Sequence, residues 1–279
     1  PAEYYQSDDV EHILLRFSDP QNLRGGTNRD LFYLMTYIKS TERMALIYLP
    51  NALYLKGPEI SADHLQAYAN YAGIDYVRQS LEHSFAIHIP KVMEFDISYL
   101  LQPFRNDNEL SIELTEPEAK AINLQISDHL ENLEVVTESQ ITPLPEEAGE
   151  YYPEPAQALA YWRLGEIEDA PSPLERRSYL IDTLITYYLG HGFTTINKGI
   201  SNADSLARSM KTDLNFFELI WEIPKIDNRF DSEVIYFDLL EEDNFDTFNH
   251  YGNDLLTFYP RELQQRYHDF LEANGAEPN

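Results

Sequence analysis

A chain of 279 residues with 43% hydrophobic and 13% aromatic residues can bury a full core, which excludes a disordered protein. Its net charge of −28 opposes general binding to nucleic acid or an anionic membrane, so any anionic ligand needs a local set of cations or a metal. The lack of cysteine excludes disulfides, thiolate metal sites and cysteine nucleophiles, and no apolar window of about 18 residues is present to span a bilayer.

The first regular segment, residues 13–17, is a short apolar run closed by Ser18-Asp19-Pro20. A polar loop leads to two strands expected at 31–38 and 44–49. Their near-continuous apolar runs suit strands covered on both faces. Ser61 is placed to cap a helix bearing Leu65, Tyr68, Ala69 and Ala72, with Gly73 at its end. Ile74, Val77, Leu81 and Phe85 then recur at helical spacing. Residues 86–95 read as a strand in which Pro90 marks an edge or a bulge. An amphipathic helix is expected at 118–133, with Ala119, Ile122, Ile126 and Leu130 on one face. Residues 137–155, rich in Pro and Glu, form an internal loop. Helices follow at 156–164 and 174–189, and Asp213 caps another that carries Phe216, Phe217, Ile220 and Trp221. A strand at 234–239 and a helix at 260–271 close the chain. This mixture of strands and helices predicts an α/β fold, a three-layer α/β/α sandwich with a mixed central sheet.

No Gly-rich phosphate loop, Walker motif, nucleophile elbow or HExxH segment occurs, and none of the eight histidines has a second ligand at metal spacing. His88 reads as a satisfied core or edge histidine, and Phe216-Phe217 and Tyr187-Tyr188 as core packing. The chemistry on offer lies in arginines and acids. Asp19 and Asp30 bracket the loop between the first two strands, and Arg16, Arg24 and Arg29 crowd the same region. Arg163 ends one helix, while Arg176 and Arg177 lie near the start of the next. Guanidinium groups bind phosphate oxygens bidentately, and a carboxylate beside them can hold a magnesium ion that bridges a diphosphate. On an acidic surface the same residues also serve as ordinary salt-bridge partners.

These residues sit in segments that follow a pattern. Residues 12–19 and 28–34 place an Asp, Asp30, at the opening of a second strand. Then come Ala45-Leu46-Ile47-Tyr48-Leu49-Pro50, Leu65-Gln66-Ala67-Tyr68-Ala69-Asn70-Tyr71-Ala72-Gly73, Ala158-Leu159-Ala160-Tyr161-Trp162-Arg163, Glu175-Arg176-Arg177 and Thr212-Asp213-Leu214. In order and spacing, across roughly residues 12 to 223, they resemble the LytR-CpsA-Psr cell-envelope family. The departures fall where that family carries charge. The arginine of its Ile-Pro-Arg-Asp strand end is Asn51 here, followed by Ala52, and the second arginine of its Arg-x-Arg is Gly165. Pro173 and Asn28 replace two more arginines, and Arg177 replaces a glutamine, whereas Asp30, Arg163 and Arg176 are kept.

The resemblance implies one LytR-CpsA-Psr-like domain over residues 1–279, with an appended C-terminal strand and helix at 224–279. It implies an extracytoplasmic, cell-surface protein anchored in the membrane through a segment ahead of Pro1. Such proteins transfer a glycopolymer from a polyprenyl diphosphate carrier to peptidoglycan, with magnesium and arginines neutralising the diphosphate. It therefore assigns catalytic roles to Arg163 and Arg176, ligand binding to Arg24, Arg29 and Arg177, and a magnesium site to Asp30 and Asp19. Losing one charge-assisted contact of this kind costs about 10²–10³ in rate. With several lost, the expectation is impaired catalysis in a protein of glycopolymer attachment or envelope maintenance. Such a protein keeps binding to a lipid-linked or wall glycopolymer or to an envelope protein. Two alternatives stand beside it: an active magnesium-dependent phosphotransferase with relocated arginines, and a non-enzymatic interaction protein whose cavity is filled by Phe32 or Trp162.

Overall fold

The structure, a computed structural model, describes residues 4–19, 30–57, 62–105, 110–132, 141–190, 208–212, 233–235, 237, 239, 245–250 and 253–278. Arg24, Arg29 and the helix expected from Asp213 lie outside these residues. The chain divides into two compact units, residues 1–95 with 211–279, and residues 96–210.

The first unit opens with an antiparallel meander of β1 (Val10–Ser18), β2 (Leu31–Ile38) and β3 (Arg43–Leu49). Leu14 stands opposite Leu34, and Leu34 opposite Ile47. Because side chains alternate across a strand, His12, Leu14 and Arg16 share a face with Phe32, Leu34 and Thr36. Ile13, Leu15 and Phe17 point the other way and are buried as well, as the continuous apolar runs predicted. A small ribbon of β4 (Tyr54–Lys56) and β5 (Ala62–His64) leads into α1 (Leu65–Tyr71). The expected cap, Ser61, lies outside the described residues. His64 holds the capping position without a side-chain bond to the helix, and residues 62–64 are strand rather than helix because they pair with β4. Gly73, at φ 85°, lets the chain turn from α1 into α2 (Ile74–Phe85), a backbone angle that side chains disfavour. β6 (Lys91–Asp96) starts only after Pro90, later than expected, because proline has no N–H to give to a ladder.

The second unit holds α3 (Ile97–Leu100), β7 (Ile112–Leu114), α4 (Glu116–Asn132), β8 (Gly149–Tyr151), α5 (Pro155–Arg163) and α6 (Pro173–Gly190). Its three long helices begin with reciprocal polar caps. Glu118 accepts from the Thr115 backbone and hydroxyl at 2.8 Å, Gln157 from the Glu154 N–H at 2.7 Å, and Glu175 from the Ser172 N–H at 2.7 Å. α4 packs on α5 and α5 on α6, with Ala119, Ile122, Trp162 and Leu180 fully buried.

The chain re-enters the first unit through β9 (Met210–Thr212), followed by β10 (Glu233–Val234), the hairpin β11 (Phe245–His250) and β12 (Asn253–Phe258), and α7 (Pro260–Ala273). The main sheet has the order β10-β3-β2-β1-β6-β9 and is mixed, since β10 runs parallel to β3. β10 is shorter than the strand expected at 234–239. α7 is part of the core of the first unit: Tyr267 is fully buried and meets Phe85 edge-on at 5.3 Å.

That tyrosine completes a buried polar chain. His12 Nδ1 lies 3.1 Å from the His88 carbonyl, which can only accept, so Nδ1 carries the proton. Nε2 therefore accepts from the Tyr267 hydroxyl at 3.1 Å, and Thr36 donates to that hydroxyl at 2.6 Å. Burial lowers the His12 pKa to about 4 and raises that of Tyr267. No helix among the described residues is long and apolar enough to cross a membrane.

Candidate functional site

At one end of the meander Asp30 accepts hydrogen bonds from side chains of β1, α1 and the turn after β3. It is 8% exposed. Arg16, two residues before the end of β1, gives its Nε and one terminal nitrogen to Asp30 Oδ2 at 3.0 and 2.7 Å, and the other to Glu94 of β6 at 2.7 Å. Burial opposes the charge on Arg16, but the attraction of Asp30 and Glu94 outweighs it and raises the pKa. Gln66 of α1 adds a third donor to the same Asp30 oxygen at 3.0 Å. Asn51, in the turn after β3, donates to the Asp30 carbonyl at 2.9 Å.

Every described donor to the Asp30 carboxylate thus falls on Oδ2. The amide oxygens of Asn51 and Gln66 are buried and accept no hydrogen bond. A buried amide oxygen without a donor costs about 1–3 kcal/mol, and a hard cation is one way to satisfy it. Magnesium takes one or two carboxylates and completes its shell with water and substrate phosphate. Asp30 would hold such an ion. Asp19 lies one residue past β1 and is half-buried. No group of three or more acidic or histidine side chains able to hold a metal occurs among the described residues.

The remaining expected residues stand in the second unit, around the end of α5. Arg163 is the last residue of that helix and is half-buried. Arg176 is 1% exposed and donates to the backbone carbonyls of Leu164, Gly165 and Pro171. One terminal nitrogen lies 3.8 Å from the equally buried Glu118 carboxylate. Arg177 donates to the Trp162 carbonyl at 3.2 Å, its guanidinium 5.8 Å from the centre of the Trp162 ring. Both arginines therefore satisfy carbonyls that the end of α5 leaves open, where the helix dipole favours positive charge. The sequence placed them at the right helix ends but could not show which of their donors turn onto backbone carbonyls. Gly165 has ordinary φ, and a Cβ built there meets no atom within 4 Å. Phe32 and Trp162 are both fully buried.

Asp30 belongs to the first unit and Arg163, Arg176 and Arg177 to the second. Gln66, Asn51 and Glu94 escaped the sequence reading because no spacing motif ties them to Asp30. Glu118 was also missed, although the Thr-x-x-Glu signal from Thr115 could have found it.

No family model matches the chain, and no curated protein sequence does. Solved structures do resemble it. The crystal structure of Bacillus subtilis TagT aligns with a TM-score of 0.58 and 17% identity, over 99% of this chain and 95% of that one. A LytR-CPS2A-Psr family protein, YwtF (TagT), with bound octaprenyl pyrophosphate lipid, aligns at 0.59 and 16% identity, over 99% and 94%. The protein gbs0355 of Streptococcus agalactiae gives 0.64 and 15% identity, over 98% and 93%. The mixed sheet, its helices and these alignments along nearly the whole chain lead to one statement: the protein has the fold of the LytR-CPS2A-Psr proteins.

Proposed function

We propose that the protein binds a lipid-linked cell-wall glycopolymer outside the cytoplasm, in glycopolymer attachment or envelope maintenance, with the transfer chemistry reduced or lost. One contrast carries this reading. Asp30 keeps hard oxygens around it, while Asn51 and Gly165 stand where the family pattern has arginines. Support comes from the structural neighbours, one holding octaprenyl pyrophosphate and one, TagT, bound to LI-WTA.

In this reading a magnesium ion, when bound, neutralises diphosphate charge. Asp30 would hold the ion, Asn51 and Gln66 would face it with amide oxygens, and Arg16 would keep the Asp30 carboxylate oriented. With Asn51 and Gly165 in place of two arginines, charge that builds on a reacting diphosphate is less well stabilised.

Gly165→Arg tests this, because the family pattern has an arginine there and a Cβ at this position meets no atom within 4 Å. One restored charge-assisted hydrogen bond is expected to tighten prenyl diphosphate binding by about tenfold. Wild-type protein is expected to move no glycopolymer above background in a transfer assay with a lipid-linked substrate and peptidoglycan. Efficient wild-type transfer that Gly165→Arg leaves unchanged would show that catalysis is intact.

A further inference from the structure

A hollow lies wholly within the second unit, between β7, α4, α5 and the start of α6. Its volume is about 410 Å³. Four charged side chains line it, Glu113, Glu118, Glu175 and Arg176, together with Tyr161 and Tyr179. Three carboxylates against one guanidinium leave the wall net negative, so a free anion is repelled.

The wall also carries unmet hydrogen-bonding capacity. Glu118 has a side chain 1% exposed; its Oε2 accepts from Thr115, while its Oε1 is buried and accepts no hydrogen bond. Arg176 Nε is likewise buried and donates to nothing. The Tyr161 hydroxyl bonds to none of the described residues. The Tyr179 hydroxyl accepts from the Glu113 N–H at 3.0 Å. Buried polar atoms of this kind are normally paired, and each left open costs about 1–3 kcal/mol. A single water could bridge two of them, but the hollow has room for a ligand of pocket size, about 300 Å³ or more.

We infer that this hollow is a binding site for a small hydroxylated ligand bearing a protonated amine, of the amino-sugar class. The ammonium is drawn by Glu118 and Glu175 and gains from the tyrosine ring faces. A sugar hydroxyl accepts from Arg176 Nε and donates to the open Glu118 oxygen. The inference stands apart from the prenyl diphosphate reading, since it uses neither Asp30 nor magnesium.

Glucosamine, N-acetylglucosamine and glucose 1-phosphate serve as probes, followed by NMR shift titration of the folded protein. Glucosamine is expected to bind saturably. N-acetylglucosamine, its amine neutralised, should bind at least about fivefold more weakly, and glucose 1-phosphate weaker still. Glu118→Gln removes the charge at the α4 cap, and Glu175→Gln, at the exposed rim and at the α6 cap, is the companion variant; in each the amide oxygen can still accept the cap N–H. Each should weaken glucosamine about fivefold and leave N-acetylglucosamine unchanged. Equal binding of the amine and its acetamide, preference for the phosphate, or no saturable glucosamine binding would overturn the inference.

Discussion

Replacing Arg176 with methionine is expected to cost about 3–5 kcal/mol of stability, a far larger loss than a ligand-binding arginine would show. The side chain of Arg176 is 0% exposed and that of Glu118 1%. Without the guanidinium, the carbonyls of Leu164, Gly165 and Pro171 lose their donor and Glu118 becomes a buried charge with no cation beside it. Much of the cost is that stranded carboxylate, so adding Glu118→Gln should return part of it. The double variant should be more stable than the sum of the two single losses by about 1 kcal/mol or more. Urea unfolding of the four proteins measures this. A loss below about 1 kcal/mol for Arg176→Met would mean that the guanidinium turns to solvent and is free for a ligand.

Acid should weaken the first unit through one residue. His12 is held neutral between the His88 carbonyl and Tyr267, with a pKa lowered by burial to about 4. The unfolded chain presents an ordinary histidine near 6.5. Between about pH 6.5 and about 4 the unfolded protein binds a proton that the folded protein refuses, so stability falls as pH falls through that window. Above about pH 6.5 both states are neutral and the effect vanishes. A difference of about 2.5 units corresponds to roughly 3 kcal/mol at the acid end. Its neighbours His88 and His268 oppose the charge and Glu11 favours it, so the comparison needs a control. His12→Gln lowers stability at neutral pH but should flatten the fall between about pH 6.5 and about 4. Equal slopes for the two proteins would mean that His12 is not the group that titrates.

The long apolar and periodic segments were legible in the sequence. β2 has the expected bounds, and α2 matches the spacing of Ile74, Val77, Leu81 and Phe85. Period requires length. β4, β5, β7 and β8 are three residues each and carry no alternation to read, and the polar run Phe245–His250 hides β11. The site was half legible. Asp30 stood out because it opens a strand beside arginines, yet its partners Gln66 and Asn51, and Glu94 behind Arg16, arrive from elements far along the chain. Arg176 could be placed at a helix start, but only coordinates show its donors turned onto the end of α5.

An equilibrium titration of octaprenyl diphosphate into the protein, with and without magnesium, tests the central claim most directly. The account predicts saturable binding with magnesium present, weakened when the ion is withheld or when Asp30→Asn removes the carboxylate charge. No saturation, or binding indifferent to both magnesium and Asp30, would contradict it.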